Sequence, residues 1–216
     1  MSVVRFNIIL LLGSYDPFTS KVLNRLKENL SKEFVHNHDN IIIFIIDNIE
    51  IYTVNIKDEN QEDSKLILIA EQYDHKLTVF TTDGQQIFNA EDLQITKDID
   101  ETVSQYIKEK YNITTFFKHP ILEKLGLLAE ATSLFFLVRH RDLTRGGEYI
   151  ELAYLLSSKI IQPSNLYFLK RECFNLSSMA LEILDQYDVV LRSYKNEKSL
   201  NREAVRIVKY FIQRHT

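Results

Sequence analysis

A single carboxylate inside an apolar segment is the residue best suited to chemistry. Glu151 lies in the segment 149–156, YIELAYLL, in which every other residue is apolar or aromatic. A helix of this composition is expected to be mostly buried, and an ionised carboxylate is costly to bury without a compensating interaction. A carboxylate in such a place can capture or stabilise a carbon centre that becomes positively charged during a reaction.

A second acid precedes it by one helical turn. Glu148 is expected on the same helix face as Glu151, near the start of the helix, so that the two acids could divide the roles of nucleophile and proton donor. The alternative is structural: Glu151 pairs with Arg139 or Arg145, or complements the helix dipole. The spacing alone leaves both interpretations open.

Two loops are the most unusual segments of the chain, because three of its five glycines fall in them. One loop is GSYD, residues 13–16, and the other is RHRDLTRGG, residues 139–147. Glycine lets a backbone approach a ligand closely, and free N–H groups at a helix start favour anions. Ordinary strand-to-helix turns would also use these residues. The candidate ligand-binding residues are Gly13, Ser14, Tyr15 (to stack on a base), Arg139, Arg145, Gly146 and Gly147.

The elements that must position these loops follow an alternating pattern. The continuous apolar runs at 6–12, 41–46 and 134–138 predict strands that are buried on both faces. The segments after the first and third runs have apolar residues at helical spacing, which predicts a helix after each of these two strands. From residue 119 onward the pattern alternates between helix and strand, which favours an α/β doubly wound, mostly parallel sheet. In a flavodoxin-like strand order the first and third strands are neighbours, so the two loops would meet at one edge.

Residues 47–97 interrupt this pattern. The alternation at 49–56, the short apolar runs at 66–70, 77–81 and 86–88, and the turn signal at Asp83–Gly84 predict an antiparallel β-meander. Residues 47–101 hold 14 acidic and 4 basic residues, a net charge of −10. We therefore predict an α/β domain over 1–46 and 98–216, with an acidic β-rich insertion over 47–97 that is either inserted into the sheet or extends its edge.

Composition narrows the function classes. No apolar run approaches the ~20 residues of a membrane span, and Cys173 is the only cysteine, so a cytoplasmic location is expected. The acidic middle third and the absence of a basic stripe argue against duplex nucleic acid. His36 and His38 stand near Asp39 without a third ligand in register, so no metal site is predicted. His140 could serve as a general base, although a structural role is the alternative.

The segment around Glu151 carries a family resemblance. Residues 133–138, SLFFLV, then a polar loop and residues 146–154, GGEYIELAY, resemble the nucleoside 2-deoxyribosyltransferase family, in which a strand leads to a glycine-containing helix start and a helix glutamate. The opening LGSY, residues 12–15, looks like the first strand and loop of that superfamily, which includes TIR domains. The resemblance implies that Glu151 is the nucleophile at the anomeric carbon of a sugar, with Glu148 or Asp142 orienting ribose hydroxyls. It also implies a homo-oligomer, since such transferases often share site residues between subunits.

Three functions are consistent with these patterns. The first is a hydrolase or transferase of the N-glycosidic bond of a nucleoside, nucleotide or NAD-like substrate, acting through Glu151 without a cofactor. The second is a non-catalytic nucleotide-binding or sensor module that uses the same crevice. The third is an interaction protein that self-associates through the acidic meander or an apolar edge and has no enzymatic activity.

Overall fold

The computed structural model describes residues 7–13, 16–35, 40–57, 63–90, 99–113, 116–141, 147–158 and 161–215. The chain forms two compact units, one of Met1–Asp47 with Ala129–Thr216 and one of Asn48–Leu128. The helices are α1 (Pro17–Leu30), α2 (Ile99–Tyr111), α3 (Ile121–Ala131), α4 (Gly147–Ser158), α5 (Ser178–Gln186) and α6 (Glu197–His215). The strands are β1 (Asn7–Gly13), β2 (Ile41–Ile45), β3 (Ile49–Lys57), β4 (Asp63–Tyr73), β5 (Lys76–Thr81), β6 (Gln86–Ala90), β7 (Phe116–Lys118), β8 (Thr132–Arg139), β9 (Leu166–Arg171) and β10 (Val190–Tyr194).

The first unit is built on a five-stranded parallel sheet with the order β10-β9-β8-β1-β2. All four strand pairs are parallel, as the continuous apolar runs require, because parallel strands are covered on both faces. β1 lies between β2 and β8, so the winding direction reverses between β1 and β8. The prediction that the first and third parallel strands are neighbours in the sheet is therefore confirmed. The fold is mixed α/β.

Alternate residues of the strands cover the two faces of this sheet. Leu134, Phe136 and Val138 of β8 belong to a core that also contains the apolar faces of α1 and α6. Residues of opposite parity, such as Phe135 and Leu137, are equally buried on the other face, where α4 packs against β1 and β8. The charged residue that ends β8, Arg139, has the parity of this second face.

The second unit is an antiparallel sheet with the order β6-β5-β4-β3-β7. Its core joins Tyr52 and Val54 of β3 to Val103 and Ile107 of α2. The Asp83–Gly84 turn forms as predicted, with Gly84 at a φ of 88° between β5 and β6. The predicted meander thus builds a sheet of its own and does not extend the parallel one.

The second unit also continues further along the chain than the predicted insertion, 47–97. The unit runs to Leu128 because α2 contributes to its core and β7 pairs with β3. The strand β7 was not predicted. It has only three residues, and its register with β3 depends on a partner more than 60 positions away in sequence. Such a short segment has no periodicity of its own.

Candidate functional site

The carboxyl ends of β1 and β8 lie side by side at the point where the winding reverses. Gly13, the last residue of β1, is paired with Val138, next to the end of β8. A Cβ at position 13 would lie 2.9 Å from the Val138 backbone oxygen and 3.2 Å from the Thr19 side chain, so only glycine fits this approach. The loops that follow β1 and β8 therefore leave the sheet from adjacent positions, as predicted.

Side chains beyond the ends of these two strands connect the start of α1 to the loop after β8. Asp16 caps α1, its carboxylate accepting hydrogen bonds from the Phe18 and Thr19 N–H groups at 3.0 and 3.1 Å and from the Thr19 hydroxyl. The Arg141 guanidinium carbon lies 3.6 Å from the centre of the Phe18 ring, a cation–π contact between the start of α1 and the loop after β8. The predicted loop residue Asp16 thus has a structural role, and the start of α1 is in contact with the loop after β8.

A tyrosine that was not among the predicted site residues supports the end of β8. The Tyr194 hydroxyl donates to the Arg139 backbone oxygen at 3.1 Å, and His140 Nδ1 lies 3.1 Å from the same hydroxyl oxygen. The two rings stack with planes 13° apart. Burial raises the pKa of Tyr194, and burial with the nearby Arg171 charge lowers the pKa of His140. These contacts favour the structural interpretation of His140 that the sequence left open.

Helix α4 places Glu151 in its second turn, and the glutamate is only 4% exposed. Tyr149, one half-turn earlier, stacks on Phe168 of β9 with ring centres 6.3 Å apart, so that side of α4 faces β9. At 3.6 residues per turn, Glu151 lies about 160° around the helix axis from Tyr149. Since α4 packs on β1 and β8, the glutamate is on the side of the helix that is directed towards β1.

The other side of α4 borders a cavity of about 500 Å³. It lies between α4, α5, the loop before α5 and the end of β8. Its apolar lining comprises Leu152, Ala153, Met179, Ala180 and Ile183. Its remaining lining residues are Arg139, Tyr149, Asn175 and Ser177. Of the four, only Arg139 was a predicted site residue. Tyr149, Asn175 and Ser177 were not predicted, because the loop before α5, which ends in the N-cap Ser177, approaches α4 only in the fold.

Arg139 is the charged residue of that cavity and is itself 8% exposed. Its guanidinium carbon lies 5.1 Å from the centre of the Tyr149 ring. Of the predicted ligand-binding residues, Arg139 and the helix start Gly147 are thus placed at the same edge of the sheet as Gly13. Ser14, Tyr15, Asp142, Arg145 and Gly146 lie outside the described residues, as do the Glu148 side chain and the His36–Asp39 segment.

Comparison of the chain with known proteins returns no family model, no curated protein and no solved structure that matches it. Within the described ranges, no helix combines the length and hydropathy of a membrane span. The same ranges contain no group of three or more His, Cys, Asp or Glu side chains placed to hold a metal ion.

Proposed function

We propose that the chain cleaves or transfers the N-glycosidic bond of a nucleoside, nucleotide or NAD-like dinucleotide, with Glu151 as the carboxylate that meets the sugar. One observation carries the proposal: a 4% exposed glutamate stands in the second turn of α4, on the side directed to β1, where the sheet reverses its winding. In open parallel sheets this reversal is where ligands bind. The strand order, second-first-third-fourth-fifth, supports the flavodoxin-like arrangement that we propose from the resemblance to nucleoside 2-deoxyribosyltransferases and TIR domains.

The chemistry follows from the position of the carboxylate. As the bond between the anomeric carbon and the base nitrogen breaks, its electron pair leaves with the base, and positive charge develops on the sugar. A leaving nucleobase takes up a proton, whereas the cationic nicotinamide of an NAD-like dinucleotide becomes neutral without one. The Glu151 carboxylate forms a bond to the anomeric carbon. Water, or the nitrogen of a second base, then displaces the carboxylate and gives up its proton to the group that acted as the proton donor, or to solvent, so that free sugar or a new nucleoside is formed. Glu148 and Asp142 are the proposed groups for proton donation and ribose binding.

The test is release of free base from a panel of nucleosides, nucleotides and NAD, measured by chromatography. We expect release by the wild type and a loss of at least about a hundredfold in Glu151→Gln, which keeps the shape but removes the charge. The matched control is Glu182→Gln, an exposed glutamate of α5 that is expected to retain full activity. Full base release by Glu151→Gln, with both variants unfolding at the wild-type temperature, would overturn the proposal.

A second candidate, a non-catalytic nucleotide-binding module, is favoured by a separate observation. Glu151 does not contribute to the cavity of about 500 Å³ among the residues that the structure describes, and it is nearly buried. Saturable nucleotide binding by calorimetry, without any product from the wild type, would replace the first proposal by this one. The homo-oligomer and the cytoplasmic location stay predictions of the sequence.

A further inference from the structure

The cavity between α4 and α5 is a second place in the first unit where a ligand would fit. Its volume of about 500 Å³ falls within the range of about 300–1,000 Å³ that is usual for small-molecule sites. Exposed residues such as Met179, which is 68% exposed, line part of this space, so it is a cleft that a ligand can enter from solvent.

The lining divides into an apolar wall and a polar end. Leu152 and Ile183 contribute to the wall, which suits a flat or aliphatic group. Asn175 and Ser177 come from the segment between β9 and α5, at the carboxyl edge of the sheet, where Arg139 ends β8. The lining is therefore apolar in its body and rich in hydrogen-bond donors at one end.

The polar end favours a negative charge. Arg139 is the one charged side chain among the described residues that line the cavity, and no acidic side chain lines it in the same ranges. A guanidinium has five N–H donors, so Arg139 can serve a neighbouring protein group and a ligand at the same time. The nine-residue helix α5 begins at Ser178, directly after the lining residue Ser177, so its positive dipole end is directed to the same region.

The cavity is separated from the proposed catalytic carboxylate. Tyr149 and Ala153 of α4 line it, and Glu151 lies about 160° around the helix axis from both. A ligand in the cavity would therefore occupy the α5 side of α4, whereas the sugar of the proposed reaction would meet the β1 side.

We infer that this cavity is a second ligand site, for a small organic anion with a flat apolar body, held by Arg139 at its charged end and by α4 and α5 around its body. The inference goes beyond the proposed function and does not depend on activity of Glu151.

The experiment uses the intact protein and two fluorescent probes of nearly the same shape. Anilinonaphthalene sulfonate carries a negative charge, and its counterpart N-phenylnaphthylamine carries none. We expect the anionic probe to bind at one site per chain. Arg139→Met should weaken it by at least about tenfold while changing the neutral probe by less than about threefold.

Two further variants locate the binding site. Ala153→Leu and Ala180→Leu add bulk to the cavity wall at helix positions where leucine is well tolerated, and each should weaken both probes by at least about tenfold. Ser157→Leu, at an exposed position of α4 outside the cavity lining, is the matched control and should leave both affinities unchanged. Far-ultraviolet circular dichroism and the unfolding temperature verify that each variant is folded.

Three outcomes would overturn the inference: no binding of the anionic probe to the wild type, equal effects of Arg139→Met on the two probes, or wild-type affinity in both folded leucine variants. The proposed catalytic function is tested independently, because its test is the release of free base by Glu151→Gln. Failure of either experiment therefore does not affect the interpretation of the other.

Discussion

The two sides of helix α4 differ in how they are built and in how easily they are recognised. The side towards β1 carries Glu151, a single charged group surrounded by apolar neighbours along the chain. The side towards α5 carries Tyr149, which stacks on Phe168 and contacts Arg139, and both Tyr149 and Arg139 line a cavity. The first side was found in the sequence because its signal is local, whereas the second depends on residues that meet only in the fold.

The largest expected effect concerns the α5 side. Phe168 is fully buried beneath Tyr149, so Phe168→Ala should lower the free energy of unfolding by about 3–5 kcal/mol and enlarge the cavity. Chemical denaturation measures the change. Phe117→Ala, at a strand position that is 54% exposed, is the control and should cost less than about 1 kcal/mol. Equal losses in the two variants would mean that Phe168 does not support this side of α4.

The next effect concerns the β1 side. In Gly13→Ala the new Cβ would meet the Val138 backbone oxygen, which cannot move without separating β1 from β8. We expect a loss of about 1–3 kcal/mol in the free energy of unfolding, measured in urea. Ser193→Ala, at an exposed position of the edge strand β10, should have little effect. An unchanged midpoint in Gly13→Ala would contradict the close approach of the two strands.

A smaller effect is expected where Tyr194 supports the end of β8. Tyr194→Phe removes the hydrogen bond to the Arg139 backbone oxygen and the contact with His140, at a cost of about 1 kcal/mol. Thermal unfolding measures it. Tyr210→Phe is the matched control, because that side chain is 51% exposed and keeps its ring. If Tyr194→Phe unfolds like the wild type, the hydroxyl does not contribute to holding Arg139 in place.

The smallest effect is the pH dependence that comes from His140. Burial, and then the Arg171 charge, lower its pKa below the ordinary 6.5, so the unfolded chain binds a proton before the folded one does. The stability contribution is complete above pH 6.5 and is lost as the pH falls towards the lowered value. Unfolding temperatures of His140→Gln between about pH 7.5 and about pH 5 should therefore decline less than those of the wild type. His75→Gln, in an exposed turn, should follow the wild-type curve.

Elements with a strong local pattern could be predicted closely. The sequence predicts helices at about 99–111 and about 147–158, and the structure has helices with these bounds. The sequence predicts a terminal helix from Asn201, but the helix begins at Glu197. The Asn196 side chain accepts a hydrogen bond from the Ser199 N–H at 3.0 Å and thereby caps this earlier start. The start of a helix depends on such a single capping residue, which the periodic spacing of apolar residues does not indicate.

The candidate site could be predicted only in part. The proximity of Gly13 to the end of β8 could be predicted, because a known rule of parallel sheets gives both the strand order and the position of the loops. Tyr194 could not be assigned to the same site, because it reaches Arg139 across 55 positions of sequence. The role of Arg139 was also incomplete, since its contact with Tyr149 depends on how α4 packs.

The sequence by itself determined the alternating α/β pattern, the acidic β-rich section and the presence of one acid in an apolar helix, because each is a property of neighbouring residues. Tertiary structure alone decided that the acidic section forms its own sheet, that Tyr149 packs on Phe168 of β9, and that a cavity lies beside α5. The physical reason is that strand pairing and helix packing join residues far apart in the chain, and no local pattern records which of them will meet.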